Sequence, residues 1–111
     1  MRSIVLGVLF SVSVSGAAAA QDPVAKGEQV FTAQKCSLCH SIAGKGNAKG
    51  SLDGVGGKLK ADEIKAWMRT PKEMAEKAKA DRKPPMPAYS KEKLSDADVD
   101  ALTAYLLSLK K

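Results

Sequence analysis

Cys36-Ser37-Leu38-Cys39-His40 holds both cysteines and the single histidine of this 111-residue chain. Two thiols two residues apart, followed at once by an imidazole, form the C-x-x-C-H pattern for covalent attachment of a c-type haem. Each thiol is available to one haem vinyl group, and the adjoining histidine is placed to offer a ring nitrogen to iron from the proximal side. The pattern has rivals. A C-x-x-C pair also serves as a thioredoxin-like redox site, and in an oxidising compartment two cysteines often form one disulfide. The redox site needs a βαβ setting, and no alternating apolar strand flanks residues 36–40. A tetrahedral zinc site needs further ligands, and neither a second C-x-x-C nor another histidine is present. A haem reading requires three things of the remaining sequence: an export signal, a sixth iron ligand, and enough helix to enclose a porphyrin.

The N-terminus supplies the first. Met1-Arg2 is a short positive region, Ile4 to Val14 an apolar stretch broken only by Gly7, Ser11 and Ser13, and Ala18-Ala19-Ala20 a small-residue cleavage site. Together these describe a secretory signal peptide over residues 1–20, cleaved after Ala20. The rival is an uncleaved anchor, for which the apolar stretch is short of the roughly 18 residues a span needs. The mature chain, 21–111, is then expected to be one periplasmic domain, monomeric and without a transmembrane segment. A chain this short, with aromatic residues at 5%, builds a modest apolar core. A covalently held haem would complete it, as metals and disulfides do in other small scaffolds.

Basic side chains number 18 and acidic ones 12, a formal charge of +6 that falls by one when Arg2 leaves with the leader. Nucleic acid is one class of acidic partner. No Arg-rich face and no set of stacking aromatics accompanies the charge, and export argues against it. Redox partner proteins with acidic docking surfaces are the expected class.

Helical signals bracket the mature chain. Asp22-Pro23 reads as an N-cap followed by proline at the first helical position, with Val24, Gly27, Val30 and Phe31 at helical spacing up to Cys36. Gly27 costs that helix about 1 kcal/mol relative to alanine, which a close helix crossing one turn from Phe31 would explain. Residues 41–59 read as loop, with glycines at 44, 46, 50, 54, 56 and 57. A phosphate loop fails on spacing, because positions 52 and 59 are both leucine. Backbone lying close against a flat ligand is the better account. Ile64, Trp67 and Met68 recur at i, i+3 and i+4 in a short helix from Ala61 to Thr70, stopped by Pro71. Lys72 to Ala80 continues as a second short, Lys-rich helix. Pro84, Pro85 and Pro87 then exclude helix around Met86. The last segment is the clearest helix. Ser95 is an N-cap with Asp98 at N3, Leu94 and Val99 form a hydrophobic staple, and Val99, Leu102, Leu106 and Leu109 make an apolar stripe. Asp96, Asp98 and Asp100 sit at the positive end of the dipole, Lys110 and Lys111 at the negative end.

With no second histidine, the other axial position falls to Met68, Met74, Met86 or nothing. Met68 completes a helical apolar stripe, so core packing is its default. Met74 lies in a short helix and suits core or surface. Met86 has no periodic reason to be apolar, and prolines on both sides would hold its thioether in one place, as a weakly bound ligand requires. Trp67, the sole tryptophan, suits ordinary core, haem contact, or both.

On these residues the chain resembles the class I cytochromes c, of the short bacterial monohaem kind. The similarity covers the mature sequence: Gly27-x-x-x-Phe31, Cys36 to His40, Leu52-Asp53-Gly54, Ile64-Lys65-Ala66-Trp67, Pro85-Met86-Pro87, and Leu102 to Leu106 around Tyr105. The resemblance implies an all-α fold around one covalent haem. Its first and last helices would cross, with Gly27 and Phe31 against the Leu102 to Leu106 region. It also implies haem c held through Cys36 and Cys39, axial ligands His40 and Met86, and Trp67 near a haem propionate. The family's usual Gly-Pro, whose carbonyl accepts the histidine ring N–H, falls here on Gly50-Ser51. Either residue leaves a carbonyl for that bond, in a less rigid loop.

The expected function is a soluble periplasmic electron carrier that cycles one haem iron between ferric and ferrous states and transforms no substrate. The first alternative is a cytochrome c subunit docked tightly on a periplasmic dehydrogenase or oxidase. The second is an open-site haem protein that binds gas or acts on peroxide. Lys72, Lys77, Lys79 and Lys83 are the expected docking face.

Overall fold

A computed structural model describes residues 22–110. The expected leader, its cleavage after Ala20, and Lys111 lie outside the described residues. The described residues form four α-helices: α1 (Pro23–Ala33), α2 (Ala61–Arg69), α3 (Pro71–Ala78) and α4 (Asp96–Leu107). Short 3-10 turns at Cys36–Leu38, Ala48–Gly50 and Val55–Gly57 and one small hairpin fill the connections.

The helix starts follow local chemistry. Asp22 accepts the Val24 N–H at 3.1 Å, and Ser95 accepts the Asp98 N–H at 3.1 Å, each satisfying one of the free donors of a first helical turn. Lys60 N–H donates to Glu63 Oε1 at 3.0 Å, an acidic partner in the first turn of α2. Pro71 both ends α2 and opens α3 at its first position, where its missing N–H costs nothing.

Two expectations shift at the edges. Within 41–59 the chain is not wholly loop: β1 (Ser41–Ile42) pairs antiparallel with β2 (Lys45–Gly46) across Ala43 and Gly44. Those two residues have φ of 52° and 81°, the left-handed pair that a tight two-residue hairpin requires. Ala43 N–H donates to Asp53 Oδ1 at 2.8 Å, which ties the turn to the following loop. At the other end, α4 stops at Leu107, so Lys110 lies beyond the last turn and does not sit on the dipole.

The interior is one apolar cluster drawn from every long helix: Val30 and Phe31 of α1, Ile64 and Met68 of α2, Val99, Leu102 and Leu106 of α4, with Leu94 beneath them. Leu94 and Val99 are both buried, in keeping with a staple across the start of α4. Phe31 meets Tyr105 edge to face, ring centroids 6.0 Å apart at 69°.

The α1–α4 contact is the most extensive between helices among the described residues. Gly27 makes it possible. A Cβ there would collide with the Ala101 carbonyl oxygen and stand 2.5 Å from Tyr105 Cβ. Backbone cannot swing aside as a side chain can, so the two helices would have to separate. Overpacking of this kind costs about 1–3 kcal/mol, against about 1 kcal/mol that alanine returns in helix propensity. Gly27→Ala should therefore lower the stability of the holoprotein by up to about 2 kcal/mol, read as an earlier midpoint in denaturant with an unchanged slope. A midpoint at or above that of the unaltered protein would show that the crossing does not need glycine.

Candidate functional site

The turn after α1 begins the site. Lys35 takes a left-handed conformation (φ 56°), which ends α1 and swings the chain into the 3-10 turn that carries Cys36. Cys39 N–H and His40 N–H both donate to Cys36 O, at 3.1 and 2.9 Å, so the five-residue motif closes on itself. Asn47 lashes it from outside: its backbone N–H lies 3.1 Å from both Ser37 O and His40 O, and its Nδ2 donates to Leu38 O at 3.2 Å. Leu38 itself points outward, 70% exposed.

His40 Nδ1 lies 3.0 Å from Gly50 O. A carbonyl only accepts, so Nδ1 carries the proton and Nε2 keeps its lone pair. Of the two carbonyls expected for this bond, Gly50 provides it. Burial lowers the His40 pKa, opposed by the Gly50 bond and assisted by the Arg82 guanidinium. The ring is thereby held neutral, the form that binds a metal. Burial pushes the Cys36 thiol up to about 11, with the nearby Cys39 adding to the rise and a backbone hydrogen bond opposing it. A thioredoxin-like thiol is shifted the opposite way, toward thiolate. Both cysteines are free of any disulfide.

These groups open onto a cavity of about 1210 Å³, larger than the roughly 300–1,000 Å³ of ordinary small-molecule pockets. Its wall brings together every residue singled out from the sequence: Cys36, Cys39, His40, Trp67 and Met86. Met68 and Met74 also reach it, Met68 as part of the buried cluster and Met74 half-buried on α3. Apolar side chains such as Phe31, Leu52, Ile64 and Leu102 supply most of the surface. Lys72, Lys77, Lys79 and Lys83 all border the cavity and are all exposed. A large apolar cavity, two thiols and a neutral imidazole on one wall, and a thioether on the wall are the donor set and shape that a covalent haem requires. The residues fit the group.

Several participants carried no signal in the sequence. Tyr89 also lines the cavity, its phenol pKa raised by burial and by the two thiols nearby. Asn47 reads as a turn residue in a glycine-rich stretch, yet it braces the motif. Arg69 reads as an ordinary basic residue in the last turn of a helix, yet it bonds to three acceptors far along the chain. Contacts of this kind have no period and no fixed spacing by which a sequence could announce them.

Comparison with known proteins adds the following. The family description Cytochrome c matches residues 24–110. Among curated proteins, the cytochrome c oxidase subunit 2 of Alkalihalophilus pseudofirmus is 33% identical over 94 residues, covering 77% of this chain and 25% of that protein. The chain thus spans about a quarter of the length of that relative. No solved structure matches the chain. With the match running from the second residue of α1 to beyond α4, and with Cys36 and Cys39 in the attachment motif on the wall of the cavity, the chain belongs to the cytochrome c family, with a covalently attached c-type haem.

Proposed function

We propose that the chain is an exported, periplasmic electron carrier with His40 and Met86 as the axial ligands of one haem c, and that it transforms no substrate itself. The observation that carries this reading is the convergence of Cys36, Cys39, His40 and Met86 on one cavity, although Met86 comes from a segment remote from the motif. The haem, when bound, supplies a one-electron couple between ferric and ferrous iron. Cys36 and Cys39 hold it through thioether bonds. His40 offers Nε2 while Gly50 O fixes the tautomer and the ring orientation, an outer bond that also raises ligand basicity. Met86 offers its thioether from a segment stiffened by Pro85 and Pro87. Met68 is occupied as core, and Met74 lies on a short helix with no comparable brace. The apolar wall excludes water, and Trp67 on that wall is suited to a haem propionate.

Among the described residues, no helix is long and apolar enough to cross a membrane. Lys72, Lys77, Lys79 and Lys83 surround the cavity rim and suit a partner with an acidic docking surface. A second reading, a cytochrome c unit docked within a larger oxidase or dehydrogenase, is favoured by the likeness to an oxidase subunit of which this chain spans a quarter. A free carrier purifies without its partner and exchanges electrons at a rate that falls with salt.

The ferrous holoprotein should resist carbon monoxide at neutral pH, because both axial positions are filled. Met86→Ala should bind it readily and show a lower midpoint potential, since methionine ligation raises the potential, whereas Met74→Ala should behave as the unaltered protein. Ready binding of carbon monoxide by the unaltered protein would overturn Met86 as the ligand. Reversing the charge of Lys72, Lys77, Lys79 and Lys83 together should slow electron exchange with an acidic redox protein by about tenfold or more at low salt, and leave it unchanged at high salt. Equal rates at low salt would remove these lysines from the docking face.

A further inference from the structure

The segment that carries Met86 is held at its two ends and by side-chain packing alone between them, with Met86 against the apolar cluster and the Arg82 guanidinium beside Gly50. Residues 81–88 neither donate nor accept a backbone–backbone hydrogen bond among the described residues. Upstream, Ala80 N–H donates to Ala75 O at 2.9 Å; downstream, Tyr89 N–H donates to Met68 O at 2.9 Å. Prolines stiffen the segment between these points but do not attach it to anything. Met86 stands three residues before Tyr89, a reach of about 3.3–3.6 Å per residue at most. Where Tyr89 is held therefore limits where the Met86 sulfur can go.

Tyr89 is held by two consecutive residues. Met68 takes its N–H, and Arg69, the last residue of α2, takes its carbonyl: Nη1 donates to Tyr89 O at 3.1 Å. The same Nη1 donates to Leu94 O at 2.7 Å, and Nη2 to Asp96 Oδ1 at 2.7 Å. One planar guanidinium thus joins the end of α2 to both ends of the 89–94 turn and to the start of α4. Leu94 is 1% exposed, so its carbonyl has no ready replacement from solvent. The Asp96 carboxylate is 69% exposed, and its ion pair is the weakest of the three contacts.

We infer that Arg69 is a positioning residue for Met86, acting through Tyr89 and Leu94 to keep the thioether at the haem. The inference rests on Met86 as the axial ligand. A residue that merely joined α2 to α4 would affect stability without affecting ligation. The fork geometry matters too, because lysine is a point charge that cannot serve two carbonyls and a carboxylate in one plane.

The test compares holoproteins of the unaltered chain, Arg69→Leu, Arg69→Lys, Asp96→Asn and Met86→Ala well below their unfolding temperatures. Two properties are read: the near-infrared absorption of thioether-ligated ferric haem and the rate at which the ferrous form binds carbon monoxide. Arg69→Leu should raise that rate by about tenfold or more, in proportion to the open fraction, and weaken the near-infrared band. Arg69→Lys should fall between, and Asp96→Asn should match the unaltered protein because both carbonyl bonds survive. If Arg69→Leu yields no holoprotein, Arg69→Lys decides: a raised rate supports the inference and an unaltered rate overturns it. Unaltered ligation in Arg69→Leu, even with reduced stability, also overturns it. A missing near-infrared band in the unaltered protein would instead overturn Met86 as ligand, and Met86→Ala marks the value expected of a fully open site.

Discussion

The approach of two backbones at Gly27 is the constraint on which the other elements depend. Because Gly27 has no side chain, α1 settles directly on the Ala101 carbonyl and the Tyr105 Cβ of α4. That places Phe31 against Tyr105 and directs the exit of α1, through the left-handed Lys35, toward the Cys36 turn. The two terminal helices thus act as a frame. The residues between them, 34–95, wrap outward from it and back, and the cavity is the space they enclose. The frame thus sets where the motif begins.

Two kinds of support hold the site, and they differ in range. The motif side is local. Cys36 O collects the N–H groups of Cys39 and His40, Asn47 ties Leu38 and Ser37, and Gly50 orients the imidazole, all within a short stretch of chain. The methionine side is remote. Its anchor is made by residues 68 and 69 on one element and 89, 94 and 96 on others. A local support survives small shifts between helices, whereas a remote one passes such shifts on.

The same difference in range explains what the sequence could disclose. Asp22 and Ser95 as caps, the burial of Leu94 with Val99, and the stripe of Val99, Leu102 and Leu106 are signals written within a few residues and found in the fold, whereas Leu109 falls beyond the end of α4. The glycine at 27 was legible as an anomaly, because a helix interior does not ordinarily accept its cost. The hairpin at 41–46 was not, since two residues per strand are too few to show alternation among glycines. Leu109 and Lys110 lie past the end of α4 at Leu107, because the apolar spacing and terminal charge continue for a few residues after the helical backbone stops. Cys36, Cys39 and His40 were evident from spacing alone. The participation of Arg69, Tyr89 and Asn47 was not, because it depends on which loops the fold brings together.

One wall of the cavity is the self-bonded motif; the other, residues 81–88, has no backbone–backbone hydrogen bond among the described residues. Local opening in a folded protein takes the route with the least to break. On the proposed ligand set, the stretch between Ala80 and Tyr89 would open before the motif, whose bonds lie within itself. A haem held by Cys36 and Cys39 would then stay attached while Met86 moved, so access to the metal and retention of the cofactor would depend on different residues.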